Sequence, residues 1–165
     1  APGYRTNGAG SGLPGIRRKQ HMTINETEQE IIDEFSIYDD WMDKYAYIIE
    51  QGNQLAPLDE KYKVPENIIQ GCQSRVWLQT DYRDGRLYLQ AESDAVIVKG
   101  LLALVLRVFN HRTPDEILAS DLRFMKEIGL TEHLSPTRSN GLLSVIKQIR
   151  FYAMAYKAKS DSEKR

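Results

Sequence analysis

The sequence predicts an α+β domain, a small antiparallel sheet of about three strands with helices packed on one face, and three observations lead there. Apolar residues recur at three-to-four spacing in several separate stretches. Residues 75–92 change to a period of two around Asp84-Gly85, the strongest short hairpin signal. Residues 95–110 are so apolar that a helix there leaves little polar face and must be nearly enclosed. Helices with one apolar stripe and a hairpin with one apolar face bury each other, which is the α+β solution. A length of 165 residues suits a single domain with one core.

In chain order, Thr27 and Glu30 read as a capping box, and Ile31, Ile32 and Phe35 follow at helical spacing, so a first helix is predicted over residues 27–36. Asp39 and Asp40 supply N-cap chemistry for a second helix with Trp41, Tyr45, Ile48 and Ile49 on one face, ending near Gly52. Residues 51–66 hold two prolines and no sustained period, which reads as a long surface connection. A short strand including Ile68 and Ile69 is the third member of the sheet. In the hairpin Val76, Leu78, Thr80 and Tyr82 face one way, against Arg75, Trp77, Gln79 and Asp81, and Leu87, Leu89 and Ala91 face inward on the return.

Ser93-Asp94 reads as the N-cap pair of the apolar helix. Thr113-Pro114-Asp115-Glu116 is a capping box with proline at the first helical position, opening a short helix before Ser120 and another toward Gly129. Ser135-Pro136 starts the last helix, with Leu142, Leu143, Ile146, Ile149 and Tyr152 as its apolar stripe and a charged tail that frays after Tyr156.

Composition excludes several functions. The formal charge is −1, but residues 1–21 hold four of the 22 basic residues and none of the 23 acidic ones, which leaves −5 from Met22 onward. A negative body is a poor match for nucleic acid, where phosphate contacts dominate affinity. Residues 1–21 lack an apolar core segment and precede a methionine, so they read as a disordered leader or tag remnant, with residues 22–165 as the domain. No stretch is long and apolar enough to span a bilayer, and a single cysteine cannot close an internal disulfide, which together point to a cytoplasmic body. Cys72, His111 and His133 have no zinc or cluster spacing, so no metal site is expected. There is no nucleophile elbow and no glycine-rich phosphate loop.

What remains is Ile69-Gln70-Gly71-Cys72-Gln73-Ser74-Arg75-Val76-Trp77, which carries the lone cysteine. Gly71 suits a tight turn, and Gln73 and Ser74 follow with polar side chains, so the thiol is presented by a loop just before a strand. Buried cysteines are more often inert, and a protein-interaction domain with a structural cysteine is the alternative reading.

The GCQSRVW loop resembles that of the SufE-like sulfur acceptors of iron–sulfur cluster assembly. WMDKYAYIIEQG (41–52), SDAVIVKG (93–100) and LSPTRSNGL (134–142) resemble further pieces of that family in the same order, so the likeness spans residues 35–156. The resemblance implies the fold shared with IscU-type scaffolds. It also implies that Cys72 takes persulfide sulfur from a pyridoxal-phosphate-dependent cysteine desulfurase of the SufS type, stimulates that enzyme, and passes sulfur to an iron–sulfur scaffold complex. On that view the chain is an accessory protein without a cofactor of its own, PLP belonging to the partner, and a monomer or weak homodimer. Gly71, Gln73, Ser74 and, by the resemblance, Arg138 are expected to support the cysteine loop. Trp77, Asp94 and Lys99 are expected to gate it or meet a partner, with Ile68, Ile69, Val76 and Trp77 covering the sulfur.

Overall fold

The computed structural model describes residues 22–164, so the leader assigned to residues 1–21 lies outside the described residues. The order is α1 (Ile24–Phe35), α2 (Trp41–Asn53), two 3-10 turns (Glu60–Tyr62 and Pro65–Asn67), β1 (Val76–Arg83), β2 (Arg86–Ser93), α3 (Val96–Phe109), α4 (Pro114–Ala119), α5 (Phe124–Glu127), α6 (Leu130–His133) and α7 (Pro136–Glu163). The α+β class is as expected.

The sheet is an antiparallel hairpin in register from Val76↔Ser93 to Arg83↔Arg86. Asp84 (φ 54°) and Gly85 (φ 77°) form its turn, both in the left-handed region that a twisted two-residue hairpin loop requires. The third strand shrinks to one bridge, Ile68↔Trp77, with the Ile69 N–H donating to the Val76 carbonyl at 2.9 Å. The 3-10 turn at Pro65–Asn67 before it and the turn at Gly71 (φ 90°) after it leave no room for more. Val76, Leu78, Leu87, Leu89 and Ala91 are buried, as the period of two predicts, and β2 packs on α3.

The segment read as a free surface connection is pinned to the outward face of the hairpin. Leu58 is buried and its N–H donates to Glu92 Oε1 at 2.9 Å; Lys63 Nζ meets Glu92 Oε2 at 2.7 Å; Asn67 Nδ2 donates to Gln79 Oε1 at 2.9 Å. The bonds from Lys63 and Leu58 hold the Glu92 carboxyl below its usual range, Lys63 first.

Helix α1 starts earlier than predicted. Thr-x-x-Glu occurs twice in succession, at residues 23–26 and 27–30, and the box that forms is Thr23 with Glu26. Thr27 lies inside the helix, buried, and its hydroxyl accepts from Arg112 Nη2 at 3.0 Å. The buried Arg112 guanidinium also donates from Nε to the Val108 carbonyl at 3.1 Å and from Nη1 to the Met22 carbonyl. A buried guanidinium must find acceptors, and Thr27 is one of them. Caps at Asp40, Thr113 and Ser135 form as predicted.

Helix α7 does not stop near Tyr156 but runs to Glu163. The Tyr156 ring stacks on Tyr82 with centroids 4.9 Å apart, its hydroxyl bonds Thr80 Oγ1 at 2.8 Å, and Lys157 Nζ meets Asp115 Oδ1 at 2.6 Å. Leu143, expected on the buried stripe, is 52% exposed, and Val145 and Ala153 take core places instead. Helix α3 buries Leu101, Leu102, Leu104, Val105 and Val108, but it is not wholly enclosed, since Val96 in its first turn is 65% exposed. It crosses α2 where Gly52 meets Gly100.

Candidate functional site

Cys72 sits between the Gly71 turn and β1, with its side chain against the first turns of α7. The φ of Gly71 demands glycine there, and a Cβ added to it would also fall 2.6 Å from Ser144 Oγ of α7 and push that hydroxyl aside. The half-buried Cys72 thiol donates to the Gly141 carbonyl, 3.5 Å away. Beside it lies a cavity of about 140 Å³ with apolar walls from Val76, Val98, Leu101, Leu102, Leu142 and Val145, and polar lining from Gln73, Ser74, Thr137 and Arg138. Burial pushes the Cys72 thiol up from its ordinary range, because the thiolate loses water without gaining a cation.

Arg138 lines this cavity, but its Nη1 donates to the Tyr45 hydroxyl of α2 at 3.1 Å, with the guanidinium 5.9 Å from the Tyr45 ring centroid. Gln73 and Ser74 line the cavity as well, and Gly71 supports the loop through its backbone.

A model of the SufE family, described as Fe-S metabolism associated domain, matches residues 29–153. The chain belongs to the SufE family. Its fold is also that of a solution structure of a hypothetical protein from Thermus thermophilus, with a TM-score of 0.65 and 18% identity over 78% of this chain and 94% of the other. Membership gives the SufE domain a role in iron–sulfur metabolism. Among the described residues no helix is long and apolar enough to cross a membrane, and no group of three or more His, Cys, Asp or Glu is arranged to hold a metal ion.

Among the remaining predicted site residues of the SufE domain, Asp94 and Trp77 take places other than those expected. Asp94 is not a helix cap. Ala95 occupies the N-cap of α3, and Ser93 Oγ accepts from the Ala95 N–H at 3.2 Å. Asp94 instead clips the exit of the cysteine loop: its Oδ1 accepts from the Arg75 N–H at 3.1 Å, and its own N–H donates to the Arg75 carbonyl at 3.3 Å. Hairpin register decides this, since β1 and β2 bring Arg75 and Asp94 together just beyond the Val76↔Ser93 pair. Of the four apolar residues expected to cover the sulfur, only Val76 lines the cavity. Trp77 points to the other face of β1, with Lys63 Nζ 5.6 Å and Arg75 5.9 Å from its ring, because the period of two turns it away from Val76. Lys99 is half-buried, its charge acting on Glu92, and it does not line the cavity.

Sequence reasoning missed Gly141, Tyr45 and the walls from α3 and α7. A glycine inside a predicted helix was the available signal for Gly141, since it usually marks a close approach. The Asp94 clip carries a prediction. A hydrogen bond to a charged group contributes about 1.5–3 kcal/mol, so Asp94→Ala should loosen the loop exit and speed iodoacetamide alkylation of Cys72. Asp94→Arg should speed it more, because it also sets a cation at the positive end of α3. Rates equal to wild type in both variants at an unchanged melting temperature would remove Asp94 from control of the loop.

Proposed function

We propose that the chain is a sulfur acceptor and carrier: Cys72 takes sulfane sulfur from the persulfide of a PLP-dependent cysteine desulfurase, stimulates that enzyme by relieving it of sulfur, and passes the sulfur to an iron–sulfur scaffold in the cytoplasm. The observation that carries this reading is the Cys72 sulfur in a glycine-turned loop beside an apolar cavity of about 140 Å³. The Cys72 thiolate attacks the terminal sulfur of the donor persulfide, the donor S–S bond breaks, and the donor cysteine leaves as a thiolate. A new S–S bond replaces the old one, so no outside oxidant or reductant is needed.

Two demands conflict in such a carrier. The nucleophile must be a thiolate reachable by the donor, while the loaded persulfide must be kept from water and small thiols. A loop sulfur held on a helix carbonyl beside an apolar cavity meets the second demand, and movement of the loop meets the first. PLP belongs to the donor enzyme in this scheme.

The test is transfer from a purified cysteine desulfurase given cysteine labelled in its sulfur. Label released by reductant from the peptide containing Cys72 is the expected result; label confined to the desulfurase would overturn the proposal and favour an interaction domain. In the free protein, burial keeps Cys72 protonated at pH 7, so its alkylation rate should go on rising through pH 8.5, where a free thiol (pKa ~8.5) is already half ionised. A midpoint at or below that of free cysteine would contradict the sheltered state.

A further inference from the structure

The sulfur and the guanidinium that border the same cavity are each bound to something else. Cys72 Sγ donates to the Gly141 carbonyl at 3.5 Å, and Arg138 Nη1 donates to the Tyr45 hydroxyl at 3.1 Å. A carbonyl oxygen accepts from S–H but repels S⁻, so the sulfur's position is one for the neutral thiol. An anionic sulfur, whether thiolate or persulfide, needs a donor in place of that acceptor.

Arg138 is the only cationic residue among the described residues lining the cavity. The other charged groups nearby do not line it. At the loop exit the Arg75 guanidinium lies toward Trp77, and the Asp94 carboxylate holds the Arg75 N–H. On α3, Lys99 does not line the cavity, and the wall that α3 offers is Val98, Leu101 and Leu102. Burial alone accounts for the raised Cys72 titration, with no cation lowering it, as a parked guanidinium requires. Arg138 is exposed and sits in the first turn of α7, where a long side chain is free to swing. Tyr45 is half-buried and fixed: its ring packs on Trp41 with centroids 6.4 Å apart, and Trp41 stacks on His133 of α6 at 4.4 Å.

We propose that Tyr45 is a positioning residue that holds the Arg138 guanidinium off Cys72 in the free protein, and that moving this guanidinium from the Tyr45 hydroxyl to the sulfur activates the thiol and steadies the anion. The proposal deepens the sulfur-acceptor reading, on which it rests, by giving that site a resting state and an active state. The neutral thiol rests on Gly141 while Tyr45 keeps Arg138. When the loop leaves Gly141, the sulfur loses its proton to solvent and Arg138 becomes its partner.

The size of the effect follows from two opposing trends. A cation within about 4–6 Å lowers the pKa of an acidic group by roughly 1–3 units. Each unit raises the thiolate fraction about tenfold at neutral pH, but the thiolate's nucleophilicity falls about threefold, leaving roughly a threefold gain per unit. Tyr45→Phe removes the hydroxyl acceptor and keeps the ring, so it frees Arg138 with little change in packing.

The experiment is the pH profile of iodoacetamide alkylation of Cys72 in the free protein, with the melting temperature as a check on the fold. Tyr45→Phe should move the midpoint to lower pH and raise the rate at pH 7 about threefold or more. Adding Arg138→Gln to that variant should restore the wild-type profile. Arg138→Gln alone should leave the midpoint where it is, because the arginine is not on the sulfur at rest. A midpoint raised by Arg138→Gln alone, or one left unchanged by Tyr45→Phe, would overturn the proposal. If Tyr45→Phe fails to fold, the Arg138→Gln single variant still tests the resting state, because a midpoint raised by it overturns the proposal. No desulfurase enters this measurement, so a failure of sulfur transfer, which would sink the acceptor reading, leaves its outcome untouched.

Discussion

Gly100→Ala is expected to lower the stability of the domain by about 3 kcal/mol, a large part of the roughly 5–15 kcal/mol typical of a domain. A Cβ built at Gly100 falls 2.1 Å from the Ile48 carbonyl oxygen and 2.7 Å from the Ile48 carbonyl carbon, and one built at Gly52 falls 2.7 Å from the Gly100 nitrogen. Helices α2 and α3 therefore touch backbone to backbone. Overpacking a core usually costs about 1–3 kcal/mol because side chains give way. Here the obstacle is main chain, so the helices must separate, and the gain of about 1 kcal/mol in helix propensity from glycine to alanine does not offset that. Helix α3 carries Val98, Leu101 and Leu102, so its displacement also opens the wall beside Cys72. Urea unfolding measures the effect. Gly85→Ala is the control: Gly85 has φ 77° with nothing within 4 Å of an added Cβ, so only backbone strain of about 1–2 kcal/mol applies. A Gly100→Ala midpoint at or above that of Gly85→Ala would show that the crossing tolerates a side chain.

Cys72→Ser should reduce sulfur acceptance to background while leaving the fold in place. It is the single cysteine of the sequence, so no second thiol can substitute. Serine keeps a donor for the Gly141 carbonyl that the thiol now reaches at 3.5 Å, and the site is half-buried in a loop, so the expected change in stability is under about 1 kcal/mol. The hydroxyl supplies no thiolate at any working pH, and sulfane sulfur has nothing to form a persulfide with. Mass analysis after incubation with desulfurase and cysteine, alongside a thermal melt, separates the outcomes. Acceptance retained by the serine variant would mean that Cys72 is not the acceptor. Acceptance lost together with the fold would return the cysteine to a structural role.

Much of the fold was legible because its signals are local. The Asp84-Gly85 turn needs two residues with positive φ, the strand faces need only a period of two, and the caps at Asp40, Thr113 and Ser135 bond to amides three residues away. The cysteine loop was legible for the same reason, since the Gly71 turn and the polar pair beside Cys72 are adjacent in sequence. Where two local signals competed, as with Thr23 and Thr27, pattern alone had no way to choose, and the buried Arg112 guanidinium, 85 residues from Thr27, settled it.

By itself, then, the sequence determined the α+β class, the hairpin and its inward face, the starts of α2, α4 and α7, and the loop that presents the thiol, because each depends on neighbours within about one helical turn or one strand pair. Only the tertiary structure decided what surrounds that thiol. The Gly141 carbonyl lies 69 residues from Cys72, Tyr45 lies 93 from Arg138, and Asp94 lies 19 from the Arg75 amide it holds. Side chains take such partners where packing brings acceptors to donors that burial would otherwise leave unsatisfied, and that juxtaposition exists only once α2, α3, α7 and the hairpin have closed on one another.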